Sequence, residues 1–234
     1  MGKTYRKGSR VNFMDKKLYK WFYDNIHSKY YDFMIQLFSL PFGGEKIFRT
    51  TLLKPIQFRS NEKILDMCCG TGGATLFISQ KANRSAGIIG IDLSRGQLKR
   101  ALNKNYGCPT FFAECDASCL SILNCMFDKV FITHAIHEMP RSERLQTLKE
   151  AKRVLKSNGE LIILELDNPP NFFLRILIGF LFLYWLPGNF ETVTRRDLMK
   201  HGLINEMAEC GFAHVRKFPS YKGILQTAVG IKNT

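Results

Sequence analysis

From residue 62 onward, short apolar runs alternate with amphipathic stretches. The runs fall at 62–66, 87–92, 110–114, 128–133, 159–166, 212–219 and 224–231. Helical spacing of apolar residues falls between them, at 73–82, 94–104, 118–123, 141–156 and 198–210. Strands that alternate with helices predict a mostly parallel sheet covered on both faces, a doubly wound α/β architecture of seven strands. The last two runs are separated only by Ser220-Tyr-Lys-Gly223, which suits a hairpin, so the final strand is expected to be antiparallel. Leucines at helical spacing over Arg141–Leu155, followed by Asn158-Gly159, predict a helix that ends there.

Two segments depart from this alternation. Residues 1–58 are aromatic and read as helical, with Tyr19, Trp21, Phe22, Tyr23, Tyr30, Tyr31 and Phe33 interleaved with Lys and Asp. Leu40-Pro-Phe-Gly-Gly44 interrupts the pattern, and a short helix through Phe48–Leu53 leads to Pro55. This segment is expected to form a helical cap, or lid, ahead of a main domain at 59–234. Within that domain, 168–200 reads as an insertion on the substrate side. Its stretch Phe172–Leu186 is the most hydrophobic in the chain. At about fifteen residues it is shorter than the roughly twenty that span a bilayer. A buried helix, the wall of an apolar pocket and a membrane-interface segment are the three readings it allows.

Composition changes this picture in one respect. The net charge of +14 is large for a chain of 234 residues and points to an anionic partner. Much of the excess lies in Lys3, Arg6, Lys7, Arg10, Lys16, Lys17 and Lys20, with only Asp15 against them. Seven cysteines and no secretory signal suit a reducing, cytoplasmic setting. Without a Cys-x-x-Cys pair, a structural metal site is not expected.

The chemistry-bearing stretch is Ile64-Leu-Asp-Met-Cys-Cys-Gly-Thr-Gly72. Asp66 closes a strand, and Gly70, Thr71, Gly72 and Gly73 form a turn of little bulk before a helix. Such a turn brings backbone N–H groups close to a ligand. Ile88-Ile-Gly-Ile-Asp92 follows, a second apolar run ending in an acid suited to a ribose hydroxyl pair. A nicotinamide-dependent dehydrogenase would share these two features, but it has no role for what comes next. Glu114-Cys-Asp-Ala117, Phe127–Thr133 and Glu150–Glu160 complete, in order and spacing, a pattern that resembles the class I S-adenosylmethionine-dependent methyltransferases. The resemblance implies a Rossmann-like fold and S-adenosyl-L-methionine as cofactor. It implies cofactor contacts at Asp66, Cys68, Gly70, Thr71 and Gly72 in the turn, Asp92 and Leu93 at the ribose, Asp116 and Ala117 at the adenine, and Thr133 and His134 after the fourth strand. Tyr31 would serve as a cofactor lid. Cys68 stands where the family usually has Gly or Ala.

Within that superfamily the chain resembles the ubiquinone/menaquinone biosynthesis C-methyltransferases over about residues 20–231. The likeness runs through Tyr23–Asp32, Leu164–Pro169 and Lys222–Gly230. It breaks down at Asn189–Asp197, where that family's Tyr- and Ser-rich segment is short, and at His134-Ala-Ile-His-Glu-Met-Pro140. The implied acceptor is a hydrophobic small molecule, a quinone precursor or a lipid-like compound. Thiol, arsenite and amine acceptors are alternatives, as is a non-catalytic partner subunit. Peripheral contact with an anionic membrane would suit the basic N-terminus. Nucleic acid is disfavoured: Asn168-Pro-Pro-Asn171 follows the wrong strand for a base-amino methyltransferase, and no RNA-binding module is appended. His137 is the candidate catalytic base, since its ordinary pKa lies near working pH, with loop orientation as its other reading.

Overall fold

The computed structural model describes residues 16–168, 171–173, 176 and 190–233. The expected architecture is observed. Seven strands form one sheet in the order β3-β2-β1-β4-β5-β7-β6. They are β1 (Lys63–Met67), β2 (Gly87–Asp92), β3 (Thr110–Glu114), β4 (Phe127–Thr133), β5 (Leu155–Leu166), β6 (Phe212–Ser220) and β7 (Leu225–Lys232). β1 to β5 run parallel, while β7 lies antiparallel between β5 and β6. The strand order reverses between β1 and β4, and the carboxyl ends of strands flanking such a reversal are where open α/β sheets hold ligands.

The apolar runs are continuous, not alternating, because both sheet faces are covered. Successive residues point to opposite faces. Ile64, Phe131 and Ile162 therefore enter one core layer with Phe48, Leu52 and Ile78, while Leu65, Ile132 and Ile163 enter the other with Leu148 and Met207. The helices behind these layers are α3 (Glu45–Leu52), α4 (Gly73–Lys81), α5 (Arg95–Ala101), α6 (Arg141–Val154), α7 (Phe190–His201) and α8 (Leu203–Glu209). Ahead of α3, α1 (Lys16–Phe22), a π-helical turn (Tyr23–His27) and α2 (Ser28–Ser39) run almost without interruption.

Three expectations are corrected. Residues 118–123 form a loop, not a helix. The Asp116 carboxylate takes the Ser118 N–H and hydroxyl, Glu150 takes the Leu120 N–H, and Arg153 donates to the carbonyls of Leu120 and Ile122. The backbone groups a helix would have paired internally are thus held by side chains. The helix expected at 198–210 is two helices, broken at Gly202, whose φ of +83° no helix interior adopts. The helix expected to reach 156 stops at Val154, and Leu155 already pairs with Phe127. Most of the hydrophobic stretch 172–186 lies outside the described residues. Its described members Phe172, Phe173 and Ile176 are exposed.

Candidate active site

β1 ends at a turn held open by backbone geometry. Cys68 and Gly70 both adopt left-handed φ, +57° and +56°, and Gly72 follows at +74°. The positive φ explains why glycine suits position 68, and burial among Asp92, Glu138 and other acids pushes the Cys68 thiol well up, so it is a protonated, inert side chain. The Gly70 N–H donates to Asp92 Oδ2 at 2.8 Å, and the Ser94 N–H donates to Oδ1 at 2.8 Å. Burial raises Asp92 to about 6 despite these two bonds. Asp66 is wholly buried beneath the turn. It accepts from the Thr75 hydroxyl, its second oxygen has no partner among the described residues, and burial raises it to about 7.

A pocket opens above these strand ends. Of the residues singled out from the sequence, Cys68, Gly70, Asp92, Leu93, Asp116, Ala117, Thr133, His134 and Tyr31 line it. Asp66, Thr71, Gly72 and His137 lie behind that wall. Thr71 donates to Asp32 of α2, which also accepts from Lys104 at 3.0 Å, so Thr71 fastens a helix over the turn. His137 is buried, with Nδ1 2.8 Å from Glu165 Oε1. Glu165 is itself fully buried, yet the two histidines nearby hold its pKa well below the ordinary carboxylate range. His134 faces the pocket instead. It sits at φ +50°, stacks on Phe48 at 5.6 Å, and keeps Nδ1 3.9 Å from Glu165. Burial lowers its pKa, so the ring is neutral near pH 7. Its Nε2 and the neighbouring Thr133 Oγ1 are buried without partners among the described residues.

The helices before β1 add Tyr19, Tyr23 and Arg49 to the wall; the aromatic pattern marked the tyrosines as cap residues, but not their partners, nor Arg49. The Tyr19 and Tyr23 hydroxyls both donate to Glu138 Oε2, the latter at 2.7 Å. Asp24 accepts from the Ser94 hydroxyl at 2.7 Å and the Gly96 N–H at 2.9 Å. Arg49 is only 4% exposed and donates to Glu45 Oε1 at 2.8 Å. It faces the start of α4 so closely that a Cβ on Gly73 would meet its Nη2 at 2.8 Å. The Glu45–Arg49 spacing of four residues in an amphipathic helix was the one sequence signal that could have marked it.

The donor set fits S-adenosylmethionine. A glycine turn leaves room for close approach, two acids stand at successive strand ends, a buried cation faces the helix start, and buried polar atoms such as Thr133 Oγ1 and His134 Nε2 have no partner among the described residues. Residues 64–159 match the methyltransferase domain family. An uncharacterised methyltransferase of Synechocystis sp. is 30% identical over 84% of this chain and 88% of its own. The ubiquinone/menaquinone biosynthesis C-methyltransferase UbiE of Geotalea daltonii is 31% identical over 100% of this chain and 93% of its own. A solved S-adenosylmethionine-dependent methyltransferase of Thermotoga maritima superposes with a TM-score of 0.63 at 17% identity, covering 90% of this chain and 100% of that one. Phosphoethanolamine N-methyltransferase 2 of Haemonchus contortus, solved with S-adenosyl-L-methionine, gives 0.62 at 16% identity over 92% and 60%. With a relative at 31% identity along its whole length and a sheet of this order, the chain belongs to the class I S-adenosylmethionine-dependent methyltransferases.

Proposed function

We propose that the enzyme methylates a hydrophobic small molecule of the quinone-precursor class. The observation that carries this reading is the full-length similarity to a relative named for ubiquinone and menaquinone biosynthesis. The aromatic wall built by Tyr19, Tyr23 and Tyr31 supports it, since ring faces suit a flat apolar acceptor. We take 1–58 as a cap on a methyltransferase domain at 59–234, with 168–200 on the substrate side.

S-adenosylmethionine supplies an already electrophilic methyl group, so the protein's task is to position, to exclude water and to manage a proton. Asp92 spends one lone-pair direction of each oxygen on Gly70 and Ser94, which leaves the others for a ribose hydroxyl pair. Asp116, oriented by Ser118, and the Ala117 N–H are assigned to the adenine. Arg49 is assigned to the carboxylate of the methionine end, and Tyr31 closes over it. Thr71 acts indirectly, by holding α2 in place through Asp32.

Methylation at a ring carbon of the reduced, quinol acceptor requires a hydroxyl to give up its proton, which raises electron density on the ring; the hydrogen of the methylated carbon then leaves as a proton to the hydroxyl oxygen or solvent, which restores the aromatic ring. His134 is neutral and has a buried, unpartnered Nε2, so it is assigned as the acceptor of that proton. His137 is assigned a positioning role, through the carboxylate it shares with His134. Methyl transfer from labelled S-adenosylmethionine to chemically reduced demethylmenaquinol, phospholipid, thiol, arsenite and amine acceptors tests the reading. Transfer to the prenylated quinol is expected, and preference for any other acceptor refutes it. His134→Asn should lower kcat by about a hundredfold or more while leaving cofactor affinity within about twofold.

A further inference from the structure

The α2 helix and the turn before it are apolar on both sides. The inner side is the one that meets the active site. The outer side presents Ile26, Tyr30, Phe33, Leu37 and Leu40, which recur every three or four residues and so form one stripe along the helix. Tyr30, Phe33 and Leu40 are 61%, 64% and 63% exposed, and among the described residues nothing covers them. Contiguous apolar patches of this kind are uncommon on a monomer and mark a surface that meets something else.

Charge indicates what that something is. Residues 16–44 contain only two carboxylates, Asp24 and Asp32. Both are turned inward, Asp24 onto Ser94 and Gly96, Asp32 onto Thr71 and Lys104. The outer side is left with Lys29 beside the stripe and no acid at all. An apolar stripe with aromatic rings, a flanking lysine and no opposing charge is the pattern of a helix that lies in the plane of an anionic lipid interface. No helix of the described residues is long and apolar enough to cross a membrane, so the contact is with its surface.

We propose that the outer side of residues 26–40 docks the enzyme on an anionic lipid surface, with the inner side of the same helix over the cofactor pocket. The proposal rests on the exposed stripe and not on the identity of the acceptor, so it stands or fails separately from the assignment above. The test is sedimentation of the full chain with vesicles of phosphatidylcholine and phosphatidylglycerol, and with vesicles of phosphatidylcholine alone, at low salt. The wild type should bind the anionic vesicles. Replacing Tyr30, Phe33 and Leu37 together by Gln should weaken that binding at least about tenfold. Lys29→Glu, which leaves the apolar stripe intact, should weaken binding to anionic vesicles by roughly 25-fold, about fivefold per unit of charge, and leave neutral vesicles unaffected. Thermal midpoint and S-adenosylmethionine affinity, unchanged in both variants, show that fold and site are intact. Three results overturn the proposal: no wild-type binding, undiminished binding by the folded triple variant, or a wild-type dimer in sedimentation equilibrium that the triple variant dissociates. The last would make the stripe a contact between two copies. Should the triple variant not fold, undiminished binding by Lys29→Glu overturns the proposal in its place.

Discussion

Asp66 offers a test in which the size of the effect depends on pH. It is fully buried, and burial raises it to about 7 from an ordinary 3.8, with the Thr75 hydroxyl and the Arg49 charge opposing the rise. That gap of about three pH units corresponds to roughly 4 kcal/mol against keeping the charge inside the folded protein. A carboxylate raised in this way destabilises the fold fully above its folded pKa, and the cost disappears as pH falls toward the unfolded value. Wild-type stability should therefore gain from Asp66 as pH drops from about 8 toward 4. Asp66→Asn removes the charge at every pH. It also places an amide where Oδ1 has no partner, at a cost of about 1–2 kcal/mol. The net gain is then about 2 kcal/mol near pH 8, or about 4–8 °C in thermal midpoint for a chain of this size. Near pH 5 the residual charge cost of about 1–2 kcal/mol is offset by the amide, and the two proteins should melt together. Calorimetry of both proteins at the two pH values reads this directly. An equal shift at both values, or a loss at the higher one, refutes the account.

Other outcomes follow from the same geometry. Asp92→Ala should weaken S-adenosylmethionine binding by about 1–3 kcal/mol in titration calorimetry, the scale of losing charged hydrogen bonds. Because Asp92 titrates at about 6, only about a tenth of it is ionised near pH 5, so the wild-type dissociation constant should rise about tenfold from pH 8 to 5. Gly96→Ala would place a Cβ 2.2 Å from the Asp24 carbonyl oxygen, so the helices before β1 should lift; faster proteolysis within residues 16–40 and weaker cofactor binding are the readouts. Arg144 is fully buried, with Nη2 2.7 Å from both Asp197 and Glu206. Arg144→Met strands those acids and should cost about 3–5 kcal/mol in urea unfolding.

The sheet was legible because β1, β2, β4 and β5 are apolar on both faces, and such runs have few other fates. The turn at 68–72 was legible because left-handed φ restricts which residues can occupy it. The loop at 118–123 was not, since Glu150 and Arg153, about thirty residues away, capture the backbone groups that would have made a helix. The same reason hid much of the site. Asp24, Asp32 and the tyrosines on Glu138 act on partners 39 to 119 residues distant, and no periodic pattern encodes such pairings. Thr71 matched its motif, and its hydroxyl is taken up by Asp32. That pairing to a helix 39 residues earlier could not be read from the pattern.

The position of β7 has a consequence for synthesis. Residues 225–232 form an interior strand, so the edge of β5 has no neighbour until they leave the ribosome, and β6 emerges before the strand that anchors it to the sheet. At about 5–20 residues per second, the nascent chain therefore carries a bare, strongly apolar strand edge through the making of α7, α8 and β6. A chaperone that shields Leu161–Leu166 over that interval would act on a buried strand whose partner is made only after β6.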